Sequence, residues 1–548
     1  IYYQKADYGK ALEFNLQALK IRKKIKNIKG IAMSFNSLGA INDVLKKYDL
    51  ALDYYKRAIV EWKKIDGESF MVPSIFNIAN LYNTKGDFYR AMKAVKKTIH
   101  LSRKTKNKTF LGYSYNLLGA ILSNEKRFDD SLVYLKKALK IKRELNEPEG
   151  ISSALKSIGH VNYRKSKFKE ALIYYKKSLE VRLRIGNKSG IAKSYNYIGD
   201  TYRKIGENNK SIDSYKKSLS VFQSLEDYDE SSKILNKMGS LYRKKGRYNK
   251  AFEFLKKSKE IKEEIKDHEN LGYTLDEISM IHKWQGNYEK ALKYNIESTK
   301  IAKEYNNKKL LANNYYHLSM LMIDKGNLIK SKKNINKAIK IAKKEQYMRN
   351  AAKYLDCLGI ILRQERKFTD SLKVVNEALL ISKLTNDQHG MRKYLNSIGL
   401  VEERKGNFDA ALKIYIECLE ISRKIGERRS AAVSCNNAAG MYSALGDKKN
   451  AIKFYKKAFL IAKRINYKQG MAAYSFNIAS SYYEQENLSK CLTFLLNSEA
   501  LFKEMGDLFY NEVEIFLCYI YLKKEDIKNL NKFFKKIKSI DSNNNLSA

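Results

Sequence analysis

Proline is almost absent from this 548-residue chain: only Pro73 and Pro148 occur, read respectively at a helix start and in a loop, where neither breaks a helical ladder. A chain with so few breakers can be helical from end to end. Tryptophan is as scarce, with two residues. The five cysteines, Cys357, Cys418, Cys435, Cys491 and Cys518, show no C-x-x-C spacing. That excludes a readable zinc site or disulfide framework and leaves them as small core residues of a reducing, cytoplasmic setting. No apolar run approaches the roughly 18 residues of a membrane helix. The densest, IFLCYIYL at 515–522, reads as a buried last helix. No secretory signal is visible. Phosphate loop, H-E-x-x-H, nucleophile elbow and kinase signatures are all missing; GNKSG at 186–190 lacks phosphate-loop spacing and reads as a polar loop between repeats. The sequence therefore points away from an enzyme and predicts no cofactor and no metal.

What the chain has instead is a period. Every forty residues an apolar residue precedes a small one, at Gly39, Ala79, Gly119, Gly159, Gly199, Gly239, Ser279, Ser319, Gly359, Gly399, Ala439 and Ala479. A second register holds Ala11, Ala51, Ala91, Ser131, Ala171, Ser211, Ala251, Ala291, Ser331, Ser371, Ala411 and Ala451, again all small. Self-similarity at this length marks a repeat array, whose core is a stack of like units.

Each unit divides into two helices. In helix A apolar residues recur at i, i+3, as in Tyr115 and Leu118 or Tyr195 and Ile198. A break follows, written KGDF at 85–88, KGRY at 245–248, QGNY at 285–288 and KGNF at 405–408, where glycine permits a left-handed turn and the aromatic anchors it. Helix B then resumes the spacing, as in Ala171, Tyr174, Tyr175, Ser178, Leu179 and Val181. Glycine inside a helix costs roughly 1 kcal/mol against alanine, so its presence at seven of the twelve first-register positions calls for a compensating contact. Close crossing of helices A and B at their small residues, with neighbouring aromatics on the flanks, supplies one.

These residues resemble the tetratricopeptide repeat, whose three small positions fall here at Gly199, Ser211 and Ser218 in one copy and at Gly159, Ala171 and Ser178 in another. A looser third register continues through Ala18, Ala58, Ala138, Ala338, Ala378 and Ala458. The resemblance extends over essentially the whole chain. The forty-residue period and the missing repeat-end proline depart from the common form, and are similar to the repeats of kinesin light chains, G-protein signalling modulators and peptide-sensing regulators of Gram-positive bacteria. HEAT and armadillo repeats have a similar length but lack the paired small-residue register.

The resemblance implies an all-α fold: a superhelical solenoid of antiparallel helix pairs, about 13 repeats plus an N-terminal half repeat. The expected organisation is a single solenoid over 1–548. It comprises a truncated first repeat at 1–30, twelve regular repeats over 31–507, a degenerate capping repeat at 508–540 and a polar tail at 541–548. Pairs are expected to begin near 31, 71 and 111, and Tyr519 stands where the last repeat should carry a small residue. Ile1 is not Met, and YYQKADYGKAL matches the end of a helix A running into a helix B, so further sequence upstream is expected, with the first helix poorly ordered or exposing apolar surface.

The formal net charge is +47. Lysine pairs recur at Lys96-Lys97, Lys136-Lys137, Lys176-Lys177, Lys216-Lys217, Lys256-Lys257 and Lys456-Lys457, between the buried positions of helix B. In the repeat family that face is the outer one, so the pairs read as a solvated surface; nucleic-acid binding through it is an alternative.

The family's concave groove is lined by helix A residues three before the small position, one after it, and four or five after it. Three before stand Asn36, Asn116, Asn196, Asn236, Asn396 and Asn436, with Asp276 and Asp356 in the same register. An amide both donates and accepts, so it can hold the main chain of an extended peptide. In the light-chain and peptide-sensor families asparagines in comparable positions do so, and the resemblance implies a similar role. Between residues 150 and 250 the inward registers collect Lys156, His160, Arg164, Lys193, Arg203, Lys204, Lys233, Arg243 and Lys244, with Asp200 the main exception. These cations would attract an acidic segment or a free carboxylate. Towards the C-terminus Asp324, Asp356, Glu403 and Glu484 occupy comparable registers.

The sequence thus predicts a cytoplasmic interaction scaffold that binds an extended, acidic protein or peptide ligand, without a small-molecule substrate or membrane insertion. A sensory or regulatory region of a larger signalling protein, beside a histidine kinase, cyclase or transcription regulator, is the main alternative.

Overall fold

The computed structural model describes residues 8–507 and 509–531. The polar tail, the first seven residues and most of the second half of the capping repeat lie outside the described residues. The described residues form twenty-six α-helices, numbered α1 to α26 in chain order, with a further helical turn at 527–531, and no strand. They divide into two compact units that meet in sequence at Asp267 and His268. The first runs from the half repeat α1 (Tyr8–Lys24) through six helix pairs, and the second holds six further pairs followed by α26 (Tyr510–Lys523). This is an all-α tetratricopeptide-type stack in each unit, with even-numbered helices as A and odd-numbered as B. Within each unit the A helices also touch the A helix of the next pair.

The turns explain the period. A residue with positive φ recurs every twenty residues from Lys26 to Gly506, so a pair is two equal halves, each a helix of about seventeen residues and a three-residue turn. At ten of these positions it is glycine, as at Gly86 with φ of 80°; elsewhere Lys46, Asn146 or Arg366 accepts the left-handed conformation. The residue after it is the N-cap, and Asn27, Asn107, Asn187 and Asn307 each accept a hydrogen bond from the N–H three residues on.

That capping corrects three expectations. Pairs begin three residues earlier than predicted, α2 (Ile28–Val44) being the first, because the polar residues after the cap already belong to the first turn. GNKSG is accordingly not a loop: Gly186 and Asn187 make the turn, and Lys188, Ser189 and Gly190 open α10 (Lys188–Ile205). The proline assignments shift in the same way. Pro148 is the first residue of α8 (Pro148–Arg164), where its missing N–H is harmless, and Pro73 lies inside α4 (Glu68–Thr84), one turn past its start.

Packing within a pair centres on the first-register glycines, although their direct neighbour is larger than expected. A Cβ on Gly39, Gly159, Gly199 or Gly399 would stand 2.6 to 2.8 Å from the ring of Tyr55, Tyr175, Tyr215 or Tyr415, sixteen residues on. At Gly119 and Gly239 the neighbour is Leu135 or Leu255. The second-register small residue stands beside the same glycine, and Ser131, Ser211 and Ser371 donate to the carbonyls of Gly119, Gly199 and Gly359. Third-register Ser178, Ser218 and Ser258 bond carbonyls of helix A twenty-six residues back. Three small registers therefore let two backbones approach and be hydrogen-bonded, with one ring sealing the crossing.

The cysteines fit the core reading: Cys357, Cys418, Cys435 and Cys491 are buried and Cys518 is half-buried. The final apolar run is corrected, because α26 buries Leu517, Ile520 and Tyr521 while Ile515, Tyr519 and Leu522 are exposed. At the other end α1 exposes Phe14, Leu16 and Ile21. No helix among the described residues is long and apolar enough to cross a membrane.

Candidate functional site

The amide register stands where neighbouring A helices meet. All six asparagines are half-buried. Asn36 Oδ1 accepts from Ser74 Oγ at 2.9 Å and Asn77 Nδ2 at 3.4 Å. Asn196 Oδ1 accepts from Lys237 Nζ at 2.7 Å, Asn396 Oδ1 from Asn437 Nδ2 at 3.2 Å, and Asn436 Oδ1 from Asn477 Nδ2 at 2.8 Å. The acidic members do the same: Asp276 meets His317, and Asp356 accepts from Ser397 at 2.6 Å. A residue three before the small position thus binds one two before it in the next repeat, forty-one residues on. Sequence reasoning missed this stapling between repeats, although the forty-one-residue spacing of polar pairs was visible in the chain. The Oδ1 atoms of Asn116 and Asn236 are buried without a hydrogen bond, each an acceptor still to be met.

The nine predicted cationic positions separate into two groups. Arg203 lies 3.7 Å from Asp200, and Lys233 pairs with Asp229 at 2.8 Å and Glu230 at 3.1 Å. Lys204, Arg243 and Lys244 are engaged in contacts of their own. Asp200 is a hub, because it also takes Lys237 Nζ at 2.7 Å and the Tyr215 hydroxyl at 2.7 Å. Arg203 and Lys233 are thus met by carboxylates from within.

Lys156, His160, Arg164 and Lys193 form the other group. Lys156 and His160 lie one helical turn apart on α8 and line a cavity of about 310 Å³ with Ser123, Asn124, Ser157 and Tyr197. Tyr175, stacked on Tyr197 at 5.3 Å, closes its apolar side, and no carboxylate lines it. Arg164 donates to Ser123 Oγ at 3.0 Å and Asn124 Oδ1 at 3.1 Å, which fixes its guanidinium at the rim. Burial lowers the Lys156 pKa from its ordinary value, and the nearby charges of Arg182 and Lys193 lower it further. Desolvation between the walls lowers that of His160, with Arg164 and Lys156 adding to the effect. Both shifts come first from burial and then from neighbouring cations, and an anion in the cavity would oppose them by favouring the charged forms. Among the described residues none of these four side chains has an ion-pair partner.

Towards the C-terminus three of the four predicted acids are spent internally, while Glu484 is exposed. Asp324 holds Lys283 at 2.6 Å, Asp356 holds Lys393 at 2.8 Å, and Glu403 accepts from the Tyr415 hydroxyl at 2.8 Å. The lysine pairs of helix B are exposed or half-buried, as their register required.

Family comparison agrees with the architecture. Tetratricopeptide repeat models match residues 110–184, 150–224, 190–264, 230–304, 349–424 and 390–464, and a further one matches 312–345. The chain belongs to the tetratricopeptide repeat family, whose arrays are scaffolds for protein–protein interaction. Residues 37–125 also match the model of anaphase-promoting complex subunit 5. No curated protein sequence matches the chain. Among solved structures, yeast Tom70 is 16% identical, with 92% of this chain and 99% of that one covered at a TM-score of 0.44. Aspartyl phosphate phosphatase F from Bacillus subtilis is 16% identical over 52% of this chain and 73% of its own, at 0.38. BtubC from P. vanneervenii is 20% identical over 39% and 91%, at 0.36. These superpositions are partial, and the family assignment rests on the repeat models.

Proposed function

We propose that this chain is a cytoplasmic interaction scaffold whose first unit holds an extended, acidic polypeptide against its A helices. The observation that supports it is an open cavity lined by Lys156 and His160 and by no carboxylate, with Arg164 bonded to two of its wall residues and Lys193 near enough to lower the Lys156 pKa. Cations gathered at a cavity that no carboxylate lines call for an anion from outside. An acidic side chain or a terminal carboxylate fits this volume. The unmet acceptors of Asn116 and Asn236 offer places for main-chain N–H groups on either side. Charge-assisted contacts spread along such a face give fast association and salt-sensitive affinity.

The test is a photo-crosslinking amino acid at Ser157, a cavity wall residue, with the captured segment sequenced from a lysate of the source cells. Enrichment of acidic segments, suppressed by a Lys156→Glu change, is the expected result. Capture of neutral or basic segments, unaffected by that change, would remove the acidic ligand from consideration.

A further inference from the structure

A second cluster of cations stands in the other unit, in the part of the chain whose sequence reads as less basic. Arg363 and Gln364 end α18 (Met348–Gln364), Arg366 lies in the turn that follows, Phe368 opens α19 (Phe368–Leu384), and Arg404 ends α20 (Gln388–Arg404). Together they line a cavity of about 330 Å³. We propose that Arg363, Arg366 and Arg404 form a binding site for a phosphate monoester.

Neighbouring carboxylates do not neutralise these arginines. Glu365 is held by Lys332 at 3.1 Å and Lys367 at 3.0 Å, Glu402 accepts from Asn407 at 2.6 Å, and Asp356 and Glu403 have the partners given above. Among the described residues, none of the three guanidiniums makes a side-chain hydrogen bond or ion pair. Burial lowers the Arg363 pKa and the charge of Arg404 lowers it further, against weaker opposing effects of Asp356 and Glu403. Arg363 remains charged all the same, because a guanidinium does not deprotonate in a protein.

The geometry favours a dianion over a carboxylate. A phosphate monoester carries about −1.5 to −2 charges and three acceptor oxygens, which suits three guanidiniums better than one delocalised negative charge does. The seventeen-residue α19 contributes as well: its N-cap, Lys367, makes no side-chain capping bond, and its first residue lines the cavity. All three arginines lie at or just past helix C-termini, which favours each singly but supplies no counter-ion for three of them around one cavity. The site lies wholly in the second unit and is independent of the proposal for the first.

Two probes distinguish the source of the phosphate: inorganic phosphate, and a phosphoserine peptide beside its unphosphorylated form, each titrated into the full chain by calorimetry. Because the whole protein is basic, the control is Lys96→Gln/Lys97→Gln, which removes two exposed charges in the first unit. Arg363→Gln/Arg404→Gln is expected to weaken binding by roughly tenfold or more while the control leaves it nearly unchanged. Peptide binding much tighter than inorganic phosphate assigns the site to a phosphorylated protein segment, and equal affinity assigns it to free phosphate. Equal weakening by both double changes, or no saturable binding of either probe, would each overturn the proposal.

Discussion

The ring of Tyr215 lies on Gly199 so closely that a Cβ there would stand 2.7 Å from two ring carbons. Tyr215 is fully buried and its hydroxyl is tied to Asp200 at 2.7 Å, so the ring cannot swing aside without losing that bond. Gly199→Leu is therefore expected to cost several kcal/mol, at or above the usual 1–3 kcal/mol of core overpacking, and Gly199→Ala less. Hydrogen exchange should show the loss confined to the pairs around α10, since each repeat contacts mainly its neighbours. Combining Gly199→Ala with Tyr215→Ala should cost less than the two changes summed, because the second vacates the space the first needs.

The fold was legible in the sequence because a packing rule repeated twelve times cannot be mistaken for chance. Small residues at Gly199, Ser211 and Ser218 mark a backbone approach whatever the surrounding residues. The halving of the period was hidden, because the left-handed position is glycine at Gly186 and Gly206 but lysine at Lys106 and Lys126, and only backbone angles show them to be equivalent. The candidate site was legible in part. Register alone placed Lys156, His160 and Arg164 on one face, but it could not show that Lys233 has acidic partners on its own helix, or that Asn196 is bonded to Lys237. Tyr197 went unnoticed because its register reads as an ordinary helix position.

Lys262 is almost wholly buried, and desolvation lowers its pKa to about 8, against opposing attraction from Asp267 and Asp229 and added repulsion from Lys233. The unfolded chain, with the ordinary lysine value, holds this proton more tightly than the folded one. Stability contributed by the group therefore rises with pH between about 8 and the ordinary lysine value near 10.4. The melting temperature of the parent should gain on that of Lys262→Met across this window. A constant difference from pH 7 to 10 would contradict the assignment.

Replacing Asn196 and Asn236 together by Ala tests the amide register. Asn236 Oδ1 has no partner, and Lys237 keeps Asp200 when Asn196 is lost. Helicity and melting should change little, while affinity for an extended ligand falls. Unchanged affinity would take these two amides out of the binding face.

His160 gives the face a pH dependence with a definite sign. Its pKa lies below the ordinary imidazole value, so it is largely neutral at pH 7 and gains a proton as pH falls. An acidic ligand favours the protonated form, so binding should take up protons and tighten from pH 7 towards 5, where ligand carboxylates are still mostly ionised. His160→Gln should flatten that profile with little effect on affinity at pH 7.5.

The most direct test is an anisotropy titration with a fluorescent, glutamate-rich peptide at fixed ionic strength. It compares the parent chain, Lys156→Gln/Lys193→Gln, and Lys96→Gln/Lys97→Gln, which removes equal charge from the exposed face of helix B. If cations gathered at the first unit's cavity hold the ligand, the first pair costs roughly tenfold in affinity and the second almost nothing. Equal losses would mean that the peptide is drawn by net charge alone, and no site on the A helices would need to exist.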